Sequence, residues 1–218
     1  VLAVVGDIGP DQTLAWIEKY FGTIPGHDGK LPPRDGSLPD IIGDELRQVV
    51  REDVPSRALM AAYRLPHDGT READAADLAL TALGGGESSR LHNRLVRRDR
   101  LAVAAGFGLL RLAQAPSLGW LDIKASSGAE TEAIEAAVDE ELARFAEEGP
   151  TPEELERAQA QIEREWLDRL ATVGGRADEL CRYAVLFGDP KLALTAVDRM
   201  LDVTAEEVRA VAAERLRP

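Results

Sequence analysis

The chain of 218 residues has a single cysteine, Cys181. An internal disulfide needs two thiols and a thiolate zinc cluster needs more, so this chain can build neither. Histidine is nearly as scarce, with only His27, His67 and His92. No two of them lie four apart on a helix, and none carries the Glu spacing of a helical zinc site, so all three read as surface side chains. Cations are in deficit, 26 Lys+Arg against 39 Asp+Glu, for a net charge of −13. A nucleic-acid binder needs cations to displace phosphate counterions, and an anionic membrane attracts the same charge, so both partner classes are disfavoured. No apolar run approaches the ~20 residues of a spanning helix. Val1-Leu2-Ala3-Val4-Val5 has neither a basic leader nor a long apolar core, so these residues are not expected to act as a targeting signal. A soluble protein is expected, its compartment open with the cytoplasm favoured. The apolar start on Val, without Met, suggests a piece of something longer.

What is present is ordinary globular material, 44% hydrophobic and 30% charged, enough to bury a core without staples. Val1–Ile8 reads as a strand, and Gln12–Phe21 as a short helix through Leu14, Ile17 and Phe21. Residues 26–45 are rich in Gly and Pro and read as an exposed connection. Gln48–Asp53 and Ala58–Leu65 read as strands, and Glu72–Leu83 as a helix. Gly84-Gly85-Gly86 stops that helix, with Ser88 placed to cap the next, on which Leu91 and Leu95 lie four apart. Ala102–Leu112 and Leu118–Ala125 read as a strand pair, the second with Leu121, Ile123 and Ala125 on one face and Trp120, Asp122 and Lys124 on the other.

From Glu130 onward the pattern is helical. Ile134, Val138, Leu142 and Phe145 form one stripe. Thr151 and Glu154 form a capping box before a long helix striped by Leu155, Ile162, Trp166 and Leu170, which Gly174-Gly175 should end. Helices follow around Ala177–Phe187 and Leu192–Met200, and Thr204 and Glu207 mark a second capping box. Strands early and helices late give an α+β fold, a mostly antiparallel sheet with helices layered on one face. Neither an internal repeat nor a second domain is visible.

The chemistry-bearing residues form no active site. Gly84-Gly85-Gly86 lacks the following Lys-Ser/Thr of a phosphate loop. Ser88 and Ser89 lack the Gly-x-Ser-x-Gly elbow. Cys181 falls at a helical position beside Leu180 and reads as a small core residue. Glu140-Glu141 and Glu153-Glu154 are consecutive on helices, where side chains diverge, so they read as solvated or capping groups. No catalytic, cofactor-binding or metal-ligating residue is therefore assigned. Charge is uneven, however. Residues 130–165 hold 13 Asp/Glu and 3 Arg, whereas residues 90–100 hold Arg90, Arg94, Arg97, Arg98 and Arg100 against Asp99. The acidic stretch reads as solvated outer surface. The arginines are either surface or the lining of a biased cavity or interface.

Several strings resemble one family. Val4-Val5-Gly6-Asp7-Ile8-Gly9-Pro10-Asp11 followed by Phe21-Gly22-Thr23-Ile24-Pro25 is similar to a "GD-x-x-P…FG-x-I-P" stretch of the pitrilysin/insulinase-type zinc metallopeptidases, which include the mitochondrial processing peptidases. Leu83–Leu91 resembles their glycine joint and Ser-Arg-Leu. Gly149–Ala158 resembles the start of their long C-terminal helix, and Val203–Val208 their last helix. The matches run in order along nearly the whole chain.

The resemblance implies the C-terminal, non-zinc half-domain of a two-half subunit, here residues 1–218. It implies zinc, held by a His-x-x-Glu-His motif, in an N-terminal half that this chain lacks, and no cofactor in this chain. The implied partners are that N-terminal half-domain, a second peptidase subunit closing like a clamshell, and an unfolded peptide substrate. The chain alone should be inactive, walling the peptide chamber. The alternative is a catalytically dead member with a structural or assembly role. Some members use an Arg and a Tyr of this half to hold substrate; the matching positions are Val96 and Val103, which cannot donate hydrogen bonds, so that role does not carry over. The long glycine-rich insertion of one processing-peptidase subunit is also absent at Gly84–Arg90.

Overall fold

The computed structural model describes residues 1–26, 38–39 and 43–216. Its contacts divide the chain into two compact units, residues 1–36 with 165–194, and residues 37–164 with 195–218.

The larger unit is built on a three-stranded antiparallel sheet of β1 (Ala58–Leu65), β2 (Ala102–Leu110) and β3 (Ser117–Ala125), in the order β1-β3-β2. The alternation in β3 sets which face is covered. Leu121 and Ile123 are fully buried, and their register partners Ala61 and Leu59 on β1 and Phe107 and Ala105 on β2 point the same way. Against that face lie α2 (Arg71–Gly84), α3 (Thr131–Glu148) and α7 (Ala205–Arg215). The predicted stripe of Ile134, Val138, Leu142 and Phe145 on α3 is buried throughout, each side chain contributing about 1.5–3 kcal/mol. The α+β architecture with helices on one face of an antiparallel sheet is thus the one expected.

Close approach, not flexibility, explains the first glycine of the Gly84–Gly86 run. A Cβ on Gly84 would sit 2.4 Å from both the Cβ and the backbone nitrogen of Phe107. The helix end therefore touches β2 directly. Thr70 caps the other end of α2, its hydroxyl accepting from the Ala73 N–H at 3.1 Å.

Charged side chains tie the helices of this unit together. Arg71 donates to Glu207 Oε1 at 2.8 Å and Oε2 at 3.0 Å, and to the carbonyls of Arg199 and Asp202. It thereby joins α2 to α7 and to α6 (Ala196–Leu201). Arg111 reaches Asp68 at 3.0 Å, Asp77 at 2.6 Å and Asp74 at 3.4 Å, while Arg199 meets the buried Asp74 at 2.5 Å. Burial of Arg111 works against its charge, but the aspartates outweigh it and its pKa is raised.

The smaller unit contains α1 (Pro10–Phe21), the end of α4 (Pro152–Ala171), α5 (Val173–Leu186) and a 3-10 helix over Pro190–Leu194. Trp166 and Tyr183 meet edge to face at 6.5 Å between centroids. The buried Glu179 is held by Arg169 at 2.9 Å and Arg182 at 3.0 Å. The helix α1 buries no side chain.

Four local expectations fail. Val1–Ile8 and Gln48–Asp53 are not strands; both run as irregular chain with Val1, Leu2, Val49 and Val50 exposed. Their β-branched residues fit a pleated surface, but such a preference takes effect only beside a pairing partner, and neither segment has one among the described residues. Gly174-Gly175 does not end α4. The pair lies in the first turn of α5, where Thr172 accepts from the Gly175 N–H at 2.9 Å. A Cβ on Gly175 would fall 1.9 Å from the Arg169 carbonyl, so the tight joint between helices demands glycine. Finally, the turn after Gly86 is stabilised by Ser89, not Ser88: its hydroxyl donates to the Gly86 carbonyl at 2.7 Å, and its own carbonyl accepts from Asn93 N–H.

Candidate functional site

The histidines do not converge. His67 follows β1 and is half-buried, and His92 opens a π-helix spanning His92–Arg98 and is also half-buried, not facing fully outward as expected. His27 lies outside the described residues. Among the described residues no group of three or more His, Cys, Asp or Glu side chains could hold a metal ion, and no helix is long and apolar enough to cross a membrane. Cys181 on α5 is half-buried.

The arginines do converge. Arg90, Arg94 and Arg98, with Asn93, project from the turn and π-helix before β2 into an open cleft of about 390 Å³ whose other walls are Glu141, Arg144 and Glu148 of α3 and Thr151 and Glu154 at the start of α4. The two charge runs seen in the sequence therefore meet. Arg90 is nearly buried and grips Glu154 with two hydrogen bonds of 2.7 Å, donating also to the Gly149 carbonyl at 2.9 Å. Its guanidinium lies 4.8 Å over the Phe145 ring, and its Nη1 is buried without a hydrogen-bond partner. Glu154 also closes the capping box of α4, accepting from the Thr151 N–H at 2.8 Å while its own N–H donates to Thr151 Oγ1 at 3.2 Å. Burial pushes its carboxyl up, but the bonds from Arg90 and Thr151 outweigh that and hold it below the usual carboxylate range.

Arg94 donates to Asp99 at 2.5 Å and Glu140 at 2.7 Å, and lies 3.9 Å from Glu141. Arg98 holds the other oxygen of Asp99 at 2.9 Å, and Arg144 donates to Glu141. Arg98 first, then Arg94, depresses the Asp99 carboxyl. The expectation that Glu140-Glu141 is solvated holds for Glu140 alone. Glu141 is 1% exposed, because successive helical side chains diverge by about 100° and one of the pair must turn inward. The reading of residues 130–165 as plain outer surface is corrected in the same way: three of its acids take the arginines' charge.

The second candidate surface is the uncovered face of the sheet. Its central ridge is Leu118, Trp120, Asp122 and Lys124 on β3. The register places Ala62 of β1 and Gly108 of β2 beside Trp120, and Met60 and Gly106 beside Asp122. Small neighbours leave the indole standing clear, 45% exposed, with Met60 and Leu110 also exposed. Apolar groups thus dominate a face that borders water.

The family model described as the peptidase M16 inactive domain matches residues 1–162. The chain belongs to this family. As an M16 inactive domain it is similar in fold to a protease from Helicobacter pylori, at 20% identity and a TM-score of 0.85 over 98% of this chain and 51% of that one. It resembles the inactive peptidase domain of a candidate zinc protease from Bordetella parapertussis, at 25% identity and a TM-score of 0.67 over 78% of this chain and 89% of that one. It also resembles the periplasmic protease PqqL from Escherichia coli, at 18% identity and a TM-score of 0.72 over 98% of this chain and 23% of that one. The M16 inactive domain thus spans about half the length of the H. pylori protease. No curated protein matches it. Val96 packs against the core and Val103 is exposed at an irregularity in the pairing of β2 with β3.

Proposed function

We propose that this M16 inactive domain is the non-catalytic half of a zinc metalloendopeptidase subunit, and that the uncovered face of its sheet forms part of the wall of a chamber for unfolded peptides. The observation that carries the reading is the Trp120 face. An unfolded peptide presents apolar side chains in no fixed pattern, and the apolar part of this face, with Trp120, Met60, Leu118 and Leu110 beside Arg64, Asp122 and Lys124, can accept them without demanding a sequence. In this reading residues 1–218 act as one half-domain. Zinc and its water-activating Glu belong to an N-terminal half, which is the first partner. A second subunit completes the clamshell.

The test uses the whole subunit that contains this chain. Trp120→Glu combined with Met60→Glu should lower cleavage of an unfolded peptide about tenfold, in line with the 1–3 kcal/mol such contacts supply, while zinc content stays the same. Unchanged cleavage would sink the chamber wall. If the subunit cleaves nothing with zinc added, and a chelator makes no difference, it is instead a structural or assembly member of the family.

A further inference from the structure

The arginine cleft holds binding capacity that its internal ion pairs leave unspent. Arg90 has both nitrogens of one fork edge on Glu154, and Arg94 is occupied by Asp99 and Glu140. Arg98, in contrast, uses only Nε, on Asp99. Arg144 uses only Nη2, on Glu141. The Nη1 and Nη2 of Arg98 and the Nε and Nη1 of Arg144 have no partner among the described residues. The two side chains come from different elements, the π-helix and α3, and line the same cleft. Each is oriented by its carboxylate: Asp99 fixes Arg98, and the buried Glu141 fixes Arg144. A donor held in place beforehand loses less freedom when a ligand arrives.

The cleft walls carry Arg90, Arg94, Arg98 and Arg144 against Glu141, Glu148 and Glu154, and Asp99 and Glu140 also pair with Arg94 and Arg98, so what the cleft offers a ligand is the spare N–H donors of Arg98 and Arg144 and not an excess of positive charge. Of the three acids, Glu154 is taken by Arg90 and Glu141 by Arg144, while Glu148 acts electrostatically on Arg90. The Nη1 of Arg90 is buried without a hydrogen-bond partner, while Glu154 balances the charge of that guanidinium. The backbone is also unusual here: the π-helix runs over His92–Arg98, and Arg100, just past its end, has φ +55°. Such departures from regular geometry collect at ligand sites.

We propose that this cleft binds an oxyanion, a carboxylate or phosphate group, held between the guanidinium groups of Arg98 and Arg144. Planar guanidinium forks match both groups through paired N–H donors, and about 390 Å³ accommodates such a group with its remaining water. The site does not depend on the peptidase reading.

The experiment is an NMR titration of the isotopically labelled full chain, following the arginine Nε–H resonances. The probes are an acetylated tetraglutamate amide, the matching tetraglutamine amide, and inorganic phosphate. The tetraglutamate peptide should shift Arg98 and Arg144 saturably, and the glutamine peptide should not. Both Arg98→Gln alone and Arg98→Gln with Arg144→Gln should weaken binding, the double variant by at least about tenfold, the value of a charge-assisted bond. Arg57→Gln, a change at an exposed arginine outside the cleft, should leave binding unchanged. Both cleft arginines are about half exposed, and an unchanged amide spectrum verifies the fold of each variant. Phosphate shifting the same two side chains supports a general oxyanion site; shifts from the peptide alone support a carboxylate site. No saturable shift with any probe, or full binding by the double variant, overturns the proposal.

Discussion

Arg90 and Glu154 are 9% and 16% exposed as side chains, so neither charge can fall back on water if the other is removed. Arg90→Met should therefore destabilise the domain by about 3–5 kcal/mol, the usual cost of stranding a buried charge. Glu154→Gln keeps the capping box, because Gln serves at that position as Glu does. Arg90→Met with Glu154→Gln removes both charges and should cost clearly less than the sum of the single changes. Urea midpoints for the four proteins of this cycle give the coupling directly. Strict additivity would mean that the pair is solvated in solution.

At the scale of elements, the sheet and the helix stripes were legible because burial imposes a period. The alternation along Ser117–Ala125 and the three-four spacing of Ile134, Val138, Leu142 and Phe145 each follow from one covered face. Both capping boxes were legible from local chemistry. What was not legible depends on distant partners. Val1–Ile8 carries a strand's composition, yet pairing is decided by another segment. Glu141 and Glu140 look alike in sequence, and only the direction of α3 separates them. The cleft was half visible: the arginine run and the acidic run were both evident, but nothing local says that they face each other. The glycine joint is similar, since Gly84 reads as a helix stop while its reason is Phe107 on a strand 23 residues later, read by numbering. Gly84→Ala should therefore cost about 1–3 kcal/mol through overpacking, despite the better helix propensity of alanine. A thermal melt checks this, and a rise in Tm would show that α2 and β2 can move apart without penalty.

For the whole molecule, the carboxylates held by arginine and capping donors have a consequence in pH. Asp99, Glu154, Glu206 and Glu207 are all held below the ordinary carboxylate range. Glu207 is lowered furthest, to about 2, by the hydrogen bond from Arg71 and then those from Thr204. A carboxyl with a depressed folded pKa stabilises the fold above its unfolded pKa, 4.5 for Glu, and that contribution fades as pH falls toward the folded value. Stability should thus drop between about pH 4.5 and pH 2. Glu207→Gln should flatten the slope in that window, as urea midpoints measured across it would reveal. A slope that Glu207→Gln does not alter would place the acid sensitivity elsewhere.

Glu154 and Glu207 share a design. Each completes the first turn of its own helix and, with the same carboxylate, takes an arginine from far away in the sequence: Arg90 for α4 and Arg71 for α7. One carboxylate at each point therefore serves a local cap and a long-range ion pair together, so replacing either glutamate by alanine removes a helix start and a tertiary tie in one change.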